Sequence, residues 1–235
     1  MHEHANPSKA PGTIRAEVLK QLLAERFSCR GYLSDPVPDV VIADIFDTAR
    51  LSASWCNTQP WHMVVTRPGS TEPFAKALLE QALAATEVDA DLAFPPEYRG
   101  EFLDRRRAAG FALYDAVGVG RKDSEGRKRQ AMENFRFFGA PHVAILTTAA
   151  ELGPYGAVDC GGFLSCFLLA ARAHGVATIA QAAIAQHSSF IRDYFGIPAT
   201  RHVICGVSFG YADMSHPANS FRTERRGGSD LYRFA

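Results

Sequence analysis

The chain has 235 residues, 47% of them hydrophobic and 21% charged, which suits an ordinary globular protein of one large domain or two small ones. That composition excludes wholesale disorder, collagen-like repeats and a disulfide-stapled miniprotein. Lys plus Arg number 25 and Asp plus Glu number 25, so a net charge of zero gives no general reason to expect nucleic acid or an anionic membrane as partner.

Residues 1–12 are polar, rich in His and Pro, and lack the apolar core of a signal peptide; they read as a disordered tail ahead of one domain over 13–235. Ile14, Val18, Leu22 and Leu23 fall at helical spacing and predict a helix over 14–25. Residues 26–33 read as extended. Asp35-Pro36-Val37-Pro38 is a stiff break, and Pro38 suits the first turn of a second helix through Ala49, with Val41, Ile45 and Phe46 on its apolar stripe. A Val-rich strand at 62–66 precedes a helix over 71–86 that carries Phe74, Leu78, Leu79 and Leu83. Residues 97–117 and 121–138 are charged and mostly helical, their arginine clusters reading as solvated faces neutralised by nearby acids.

Pro141 opens a strand at 142–148. Residues 159–174 are apolar almost all round, which predicts a helix buried on every side; its most apolar stretch, 161–173, is too short to span a bilayer. Gly175 stops it, and 176–180 forms the next strand. Ser188 or Ser189 is expected to cap a short helix that ends at Gly196. Residues 202–208 make a last core strand, and an extended arm runs from Ser220. Five cysteines with no CxxC pair read as reduced thiols of a cytoplasmic compartment. The alternation of helices and strands, without repeat or composition break, predicts one α+β domain layered around a single core.

Two segments carry chemistry. In Arg26-Phe27-Ser28-Cys29-Arg30 an extended backbone puts Arg26, Ser28 and Arg30 on one face and turns Phe27 and Cys29 to the core. Two guanidinium groups and a hydroxyl on one side make a cradle for a phosphate monoester, or else a solvated arginine pair after a helix. In the segment 51–61, Asn57 and Gln59 alternate in the same way, Pro60 excludes helix at Gln59, and Trp55 and Trp61 are both present.

Together these segments resemble the nitroreductase family of FMN-dependent oxidoreductases. Arg26, Ser28, Arg30 and Tyr32 match its opening signature, and Ser54, Asn57, Gln59, Pro60 and Trp61 its second. The likeness continues through residues 134–141, 180–183, 203–213 and 223–226, and is greatest to the subgroup that includes nitrobenzoate reductases. The resemblance implies a three-layer α/β/α fold, in which a central, mostly antiparallel sheet is flanked by helices. It implies FMN as cofactor, held at its phosphate by Arg26, Ser28 and Arg30 with Phe27 inside the motif, and by Arg226 with its neighbour Arg225. Ala53, Ser54, Trp55, Asn57 and Gln59 match a segment that reaches the flavin of the partner subunit. Gln181 and Ala182 match the loop whose backbone faces the reactive edge of the ring, and Asn134 falls near a position holding its pyrimidine end. Many relatives have Pro where this chain has Ala53 and Ala180, and a small residue where it has Trp55.

The implied activity is reduction of nitroaromatics or similar small aromatic electrophiles by NAD(P)H, with ping-pong kinetics, in a homodimer with shared sites. No side-chain nucleophile, catalytic residue or metal site is expected. Reduction of enones or quinones, dehalogenation, flavin fragmentation, and flavin binding without turnover stay open. Gly206-Val207-Ser208-Phe209-Gly210 matches a nucleophile elbow, but no helix pattern follows it. Gly118-Val119-Gly120 lacks a dinucleotide fingerprint and reads as a helix break. His142, His174 and His202, at element ends, read as capping or packing residues.

Overall fold

Strand β2 (His142–Ala149) is the hydrophobic centre around which the chain is built. Its residues alternate between two cores: Ala144 and Leu146 face one, Val143 and Ile145 the other. Antiparallel partners β1 (His62–Val65) and β4 (Arg201–Gly210) flank it, and β3 (Ala177–Gln181) pairs with β4, in the order β1-β2-β4-β3. The register slips between Leu146 and Thr147, so Leu146 faces Cys205 and Thr147 faces Val203. Ile204 is the extra residue, and the bulge moves Val203 to the opposite core from Cys205, Val207 and Phe209.

The computed structural model describes residues 11–235. The tail expected at the N-terminus lies outside the described residues, except Pro11 and Gly12, which open helix α1 (Pro11–Glu25). On one face of the sheet pack α2 (Asp39–Ala49) and α6 (Gly153–Ala173), through Ile45, Cys160, Phe163 and Phe167. On the other lie α3 (Pro68–Ala84), α7 (Ser188–Phe195) and the 3₁₀ turns Glu133–Gly139 and Ala182–Gln186, through Phe74, Leu78, Phe137, Ile184 and Ile191. Helices on both faces of an antiparallel sheet make the α/β/α layering that the resemblance implied. The two remaining helices, α4 (Gly100–Ala116) and α5 (Ser124–Met132), carry the charged middle of the chain.

His142 ties the first core together. Val37 N–H donates to its Nε2 at 3.0 Å, so the ring carries its proton on Nδ1 and donates it to Thr66 O, also at 3.0 Å. The nucleophile-elbow reading fails on geometry: Ser208 lies in mid-strand, fully buried, and its hydroxyl is bonded to Gln181 Oε1. Gly206 is glycine because Ile184 rests on it; an added Cβ would sit 2.4 Å from Ile184 Cδ1.

Two expectations change. Helix α6 starts six residues before Asp159 and is not buried on every side: Tyr155 and Val158 stay 59% and 68% exposed. Length and hydropathy alone would let Ala150–Ala173 cross a membrane, but its Phe163–Phe167–Ala170 face packs on the sheet and α2. Neither Ser188 nor Ser189 caps α7. The carboxylate of Asp89 does so, accepting from Ser189 N at 2.9 Å and from Ser189 Oγ at 3.2 Å, while Ser188 Oγ turns to Ala185 O.

Two residues on, Asp91 is buried against Arg192 and accepts from Val203 N at 2.7 Å, so the 85–99 connection is latched to α7 and β4 at once. Removing that carboxylate leaves the Val203 N–H without a partner and a largely buried guanidinium with only Ser189 Oγ to donate to. Asp91→Ala should therefore lower stability in urea titration by about 3–5 kcal/mol, whereas Asp47→Ala, which breaks an exposed pair with Arg50, should cost under about 1 kcal/mol.

Candidate functional site

The segment after α1 runs parallel to β3, with Ser28 bridged to Thr178 and Cys29 N donating to Thr178 O at 3.0 Å. This docking buries Cys29 completely and leaves Arg26, Ser28 and Arg30 half-buried toward a cavity of about 270 Å³. The alternation read from sequence is thus present for Cys29 but not for Phe27, which lines the same cavity instead of the core. Arg222 explains the difference: its guanidinium lies 3.9 Å from the centre of the Phe27 ring.

The far wall comes from the C-terminal arm, which brings Arg222, Thr223 and Arg225 to the cavity beside Leu23, Ala24 and Ala109. Arg225 joins Arg26 and Arg30 there; Arg226 does not, and lines a larger adjoining cleft. Among the described residues no carboxylate forms an ion pair with Arg26, Arg30, Arg222 or Arg225. Burial, and for Arg26 also the charge of Arg225, lowers the pKa of Arg26 and Arg30, yet a guanidinium remains protonated at neutral pH. Positive charge without a protein counter-charge is a site for an anion, and a planar fork of donors suits a phosphate.

Asn219 holds the cradle in shape and was not legible in the motif. It is buried, accepts from Arg30 N at 2.7 Å, and donates to Gly31 O at 2.9 Å and Asp213 O at 2.8 Å. Gly31 has no room for a side chain, since a Cβ would lie 2.3 Å from His216 Cγ. Arg30 itself donates to Ser28 O and stands 5.9 Å from the centre of the Phe138 ring. Phe137, Phe138 and Gly139 are three consecutive left-handed residues (φ 56°, 53° and 77°), a strained turn next to the site.

That turn also carries Asn134, whose O and Oδ1 accept from Gln181 Nε2 at 2.9 and 3.3 Å. Asn134 and Gln181, called separately from sequence, therefore meet. The Gln181 side chain is buried, whereas Ala180 and Ala182 on either side of it are exposed, so this loop offers a ligand backbone and methyl groups.

The third called segment stands apart from the cradle. Trp55–Asn57 is a single 3₁₀ turn in which Cys56 and Asn57, and then Gln59, take positive φ (51°, 55° and 46°). Asp159 on α6, also unforeseen, anchors it by accepting from Trp55 N at 3.1 Å. Ser54 Oγ accepts from Gln59 N at 3.0 Å, and Gln59 Nε2 donates to Asn57 Oδ1 at 3.1 Å. Ala53, Trp55, Asn57 and Gln59 are all exposed. Trp55 is 59% exposed and packs edge-on against Tyr155, centroids 4.3 Å apart, so it is no core tryptophan. Neither of the two arginine-lined clefts includes this loop.

Burial pushes Cys160 up to about 11 and Cys205 to about 12, so both are thiols at neutral pH.

The nitroreductase family model matches residues 23–211. A 4-nitrobenzoate reductase of Pseudomonas putida is 33% identical over 204 residues, 87% of this chain and 89% of its own. The nitroreductase NfnB of Mycolicibacterium smegmatis is 32% identical over 226 residues, 96% of each chain. The crystal structure of an FMN-dependent nitroreductase NfnB from Mycobacterium smegmatis, in complex with NADPH, superposes with a TM-score of 0.89, covering 94% of this chain and 99% of that one. Matched in sequence over most of its length and in fold over nearly all of it, the chain belongs to the nitroreductase family.

Proposed function

We propose that the protein is an FMN-dependent oxidoreductase that takes electrons from NAD(P)H and passes them to nitroaromatics or similar small aromatic electrophiles. The observation that carries this reading is the cradle of Arg26, Ser28, Arg30, Arg222 and Arg225, with no carboxylate paired to its arginines among the described residues. These donors fit the phosphate of a mononucleotide, and no dinucleotide fingerprint accompanies them. When bound there, FMN supplies the hydride-transfer chemistry. The chain's own groups do the rest. Arg26, Ser28, Arg30 and Arg225 hold the phosphate, and Arg30 also places positive charge toward the Asn134–Gln181 pair. The Ala180–Ala182 backbone borders the ring, leaving one face open for donor and acceptor in turn, a ping-pong arrangement.

A second copy of the chain completes the site in this reading. Ile14, Val18, Leu19 and Leu23 on α1 are about half exposed, Tyr155 and Val158 on α6 and Leu231 and Tyr232 on the arm more so, and Phe234 almost fully. These faces are more apolar than a monomer in water should show. Covering them with the same faces of a partner would bury of order 2,000 Å² or more. It would also carry the exposed 53–59 loop to the partner's cradle, where Trp55 and Tyr155 offer aromatic faces to a flat acceptor. The five free thiols suit a reducing, cytoplasmic setting.

Three measurements test this reading. In the absence of oxygen the purified yellow protein should bleach on addition of NADH or NADPH and regain colour with 4-nitrobenzoate; no bleaching with either donor would make it a flavin carrier. Arg30→Ala should weaken FMN binding by roughly 10- to 100-fold, the loss of one charge-assisted hydrogen bond, while Arg106→Ala, on the exposed face of α4, should leave it nearly unchanged. Similar FMN dissociation constants for the two variants would refute the cradle. Sedimentation at micromolar concentration should show a dimer that loses FMN as it dissociates, because assembly and binding stabilise each other. A monomer that keeps stoichiometric FMN would overturn the shared site.

A further inference from the structure

Beyond the cradle lies a second cleft of about 880 Å³, bounded by α4 and the C-terminal arm. Its helix wall is Arg105, Ala108, Ala109 and Ala112, residues spaced so that they share one face of α4. Its other wall is the run from Arg222 to Arg226 together with Leu231. Four guanidinium groups line it against one carboxylate, that of Glu224. Arg105 pairs with Glu101, whereas Arg226 has neither an ion pair nor a side-chain hydrogen bond among the described residues. Helix α4 buries no residue outright, so the wall is held loosely and the space beneath it is open.

We propose that this cleft holds the adenosine end of NADPH, with Arg226 and Arg105 taking the 2′-phosphate that distinguishes NADPH from NADH. The inference rests on the reading that FMN phosphate fills the first cavity. Four features point the same way. The two clefts are continuous, sharing Ala109, Arg222, Thr223 and Arg225. One phosphate monoester in the first cavity accounts for Arg26, Arg30, Arg222 and Arg225 but leaves Arg226 without a counter-charge. A volume of about 880 Å³ falls within the range of roughly 300–1,000 Å³ usual for small-molecule sites. The methyl groups of Ala108, Ala109 and Ala112 give α4 a low, apolar face on which a flat purine can lie. An arginine is the residue that accommodates a nucleotide 2′-phosphate elsewhere, and its fork gives two hydrogen bonds to such a group.

The test uses the FMN-loaded protein and two readouts, one of which needs no turnover. By calorimetry, adenosine 2′,5′-bisphosphate should bind at least about tenfold tighter than adenosine 5′-monophosphate, and that advantage should vanish in Arg226→Ala and return in part in Arg226→Lys. In steady state, the ratio of kcat/KM for NADPH to that for NADH should fall about tenfold in Arg226→Ala and less in Arg105→Ala. Equal binding of the two adenosine phosphates by the unmodified protein would overturn the proposal. So would an Arg226→Ala protein that loses FMN while keeping its donor ratio, since Arg226 would then belong to the flavin phosphate. If the protein does not oxidise either nicotinamide, the reductase reading fails, and the calorimetric comparison still decides whether the cleft recognises a 2′-phosphate.

Discussion

Like charges held close together around a cavity are the constraint on which this structure turns. Arg26, Arg30, Arg222 and Arg225 line one small space without a carboxylate partner among the described residues. Their repulsion must be carried by the scaffold until an anion arrives. The scaffold does this with uncharged backbone bonds. Cys29 is pinned to Thr178 of β3, Arg30 N to Asn219, and Asn219 in turn to Gly31 and Asp213. A segment anchored at Cys29, Arg30 and Gly31 in succession cannot relax away from its neighbours, so the charges stay converged. Arg222 gains a further hold from its stack on Phe27. Such pre-organisation would leave little ordering to be done by the phosphate proposed for this site.

The same economy governs the 53–59 loop. Three non-glycine residues with positive φ cost free energy wherever they occur. Here Asp159 holds them, and that acid sits on the most solidly packed helix of the molecule. The loop projects Ala53, Trp55, Asn57 and Gln59 outward, and neither arginine-lined cleft includes it. Strain combined with exposure has no benefit inside a monomer. It becomes intelligible if the loop is built to meet a surface supplied by another copy, as the uncovered apolar faces of α1, α6 and the arm also suggest.

Much of this was legible from residues alone because it obeys short-range periodicity. Strand β2 follows from the run that Pro141 opens and helix α2 from the Val41–Ile45 spacing, and the placing of Arg26 and Arg30 on one face follows from the every-second-residue rule. What escaped depends on partners far along the chain. Asp89 caps a helix 100 positions later, and nothing in its neighbourhood announces that role. Phe27 was turned to the core by simple alternation, and only the arrival of Arg222 from the other end of the sequence gives it a reason to line the cavity. Helix α6 was started late because Gly153, Pro154 and Gly156 look like turn chemistry, whereas Pro154 sits in the first helical turn, where its missing N–H costs nothing. Gly156 fits there because a side chain would strike Thr148 Oγ1.

The decoy in β4 shows how far tertiary context can redirect a motif. Gly206 and Ser208 have the types and spacing of a hydrolase elbow, yet each is set by packing. Ile184 excludes a side chain at Gly206, and Ser208 spends its hydroxyl on Gln181, which also reaches Asn134. That chain of bonds runs from the middle of the sheet to the strained Phe137–Gly139 turn beside Arg30. A buried hydroxyl in this place fixes the side chain of Gln181 inward, and the loop can then present only main chain and the small side chains of Ala180 and Ala182 to a ligand. A flat redox cofactor needs an edge of that kind, close to backbone and free of reactive side chains. What the serine does in this fold is hold Gln181, and through it Asn134, in place.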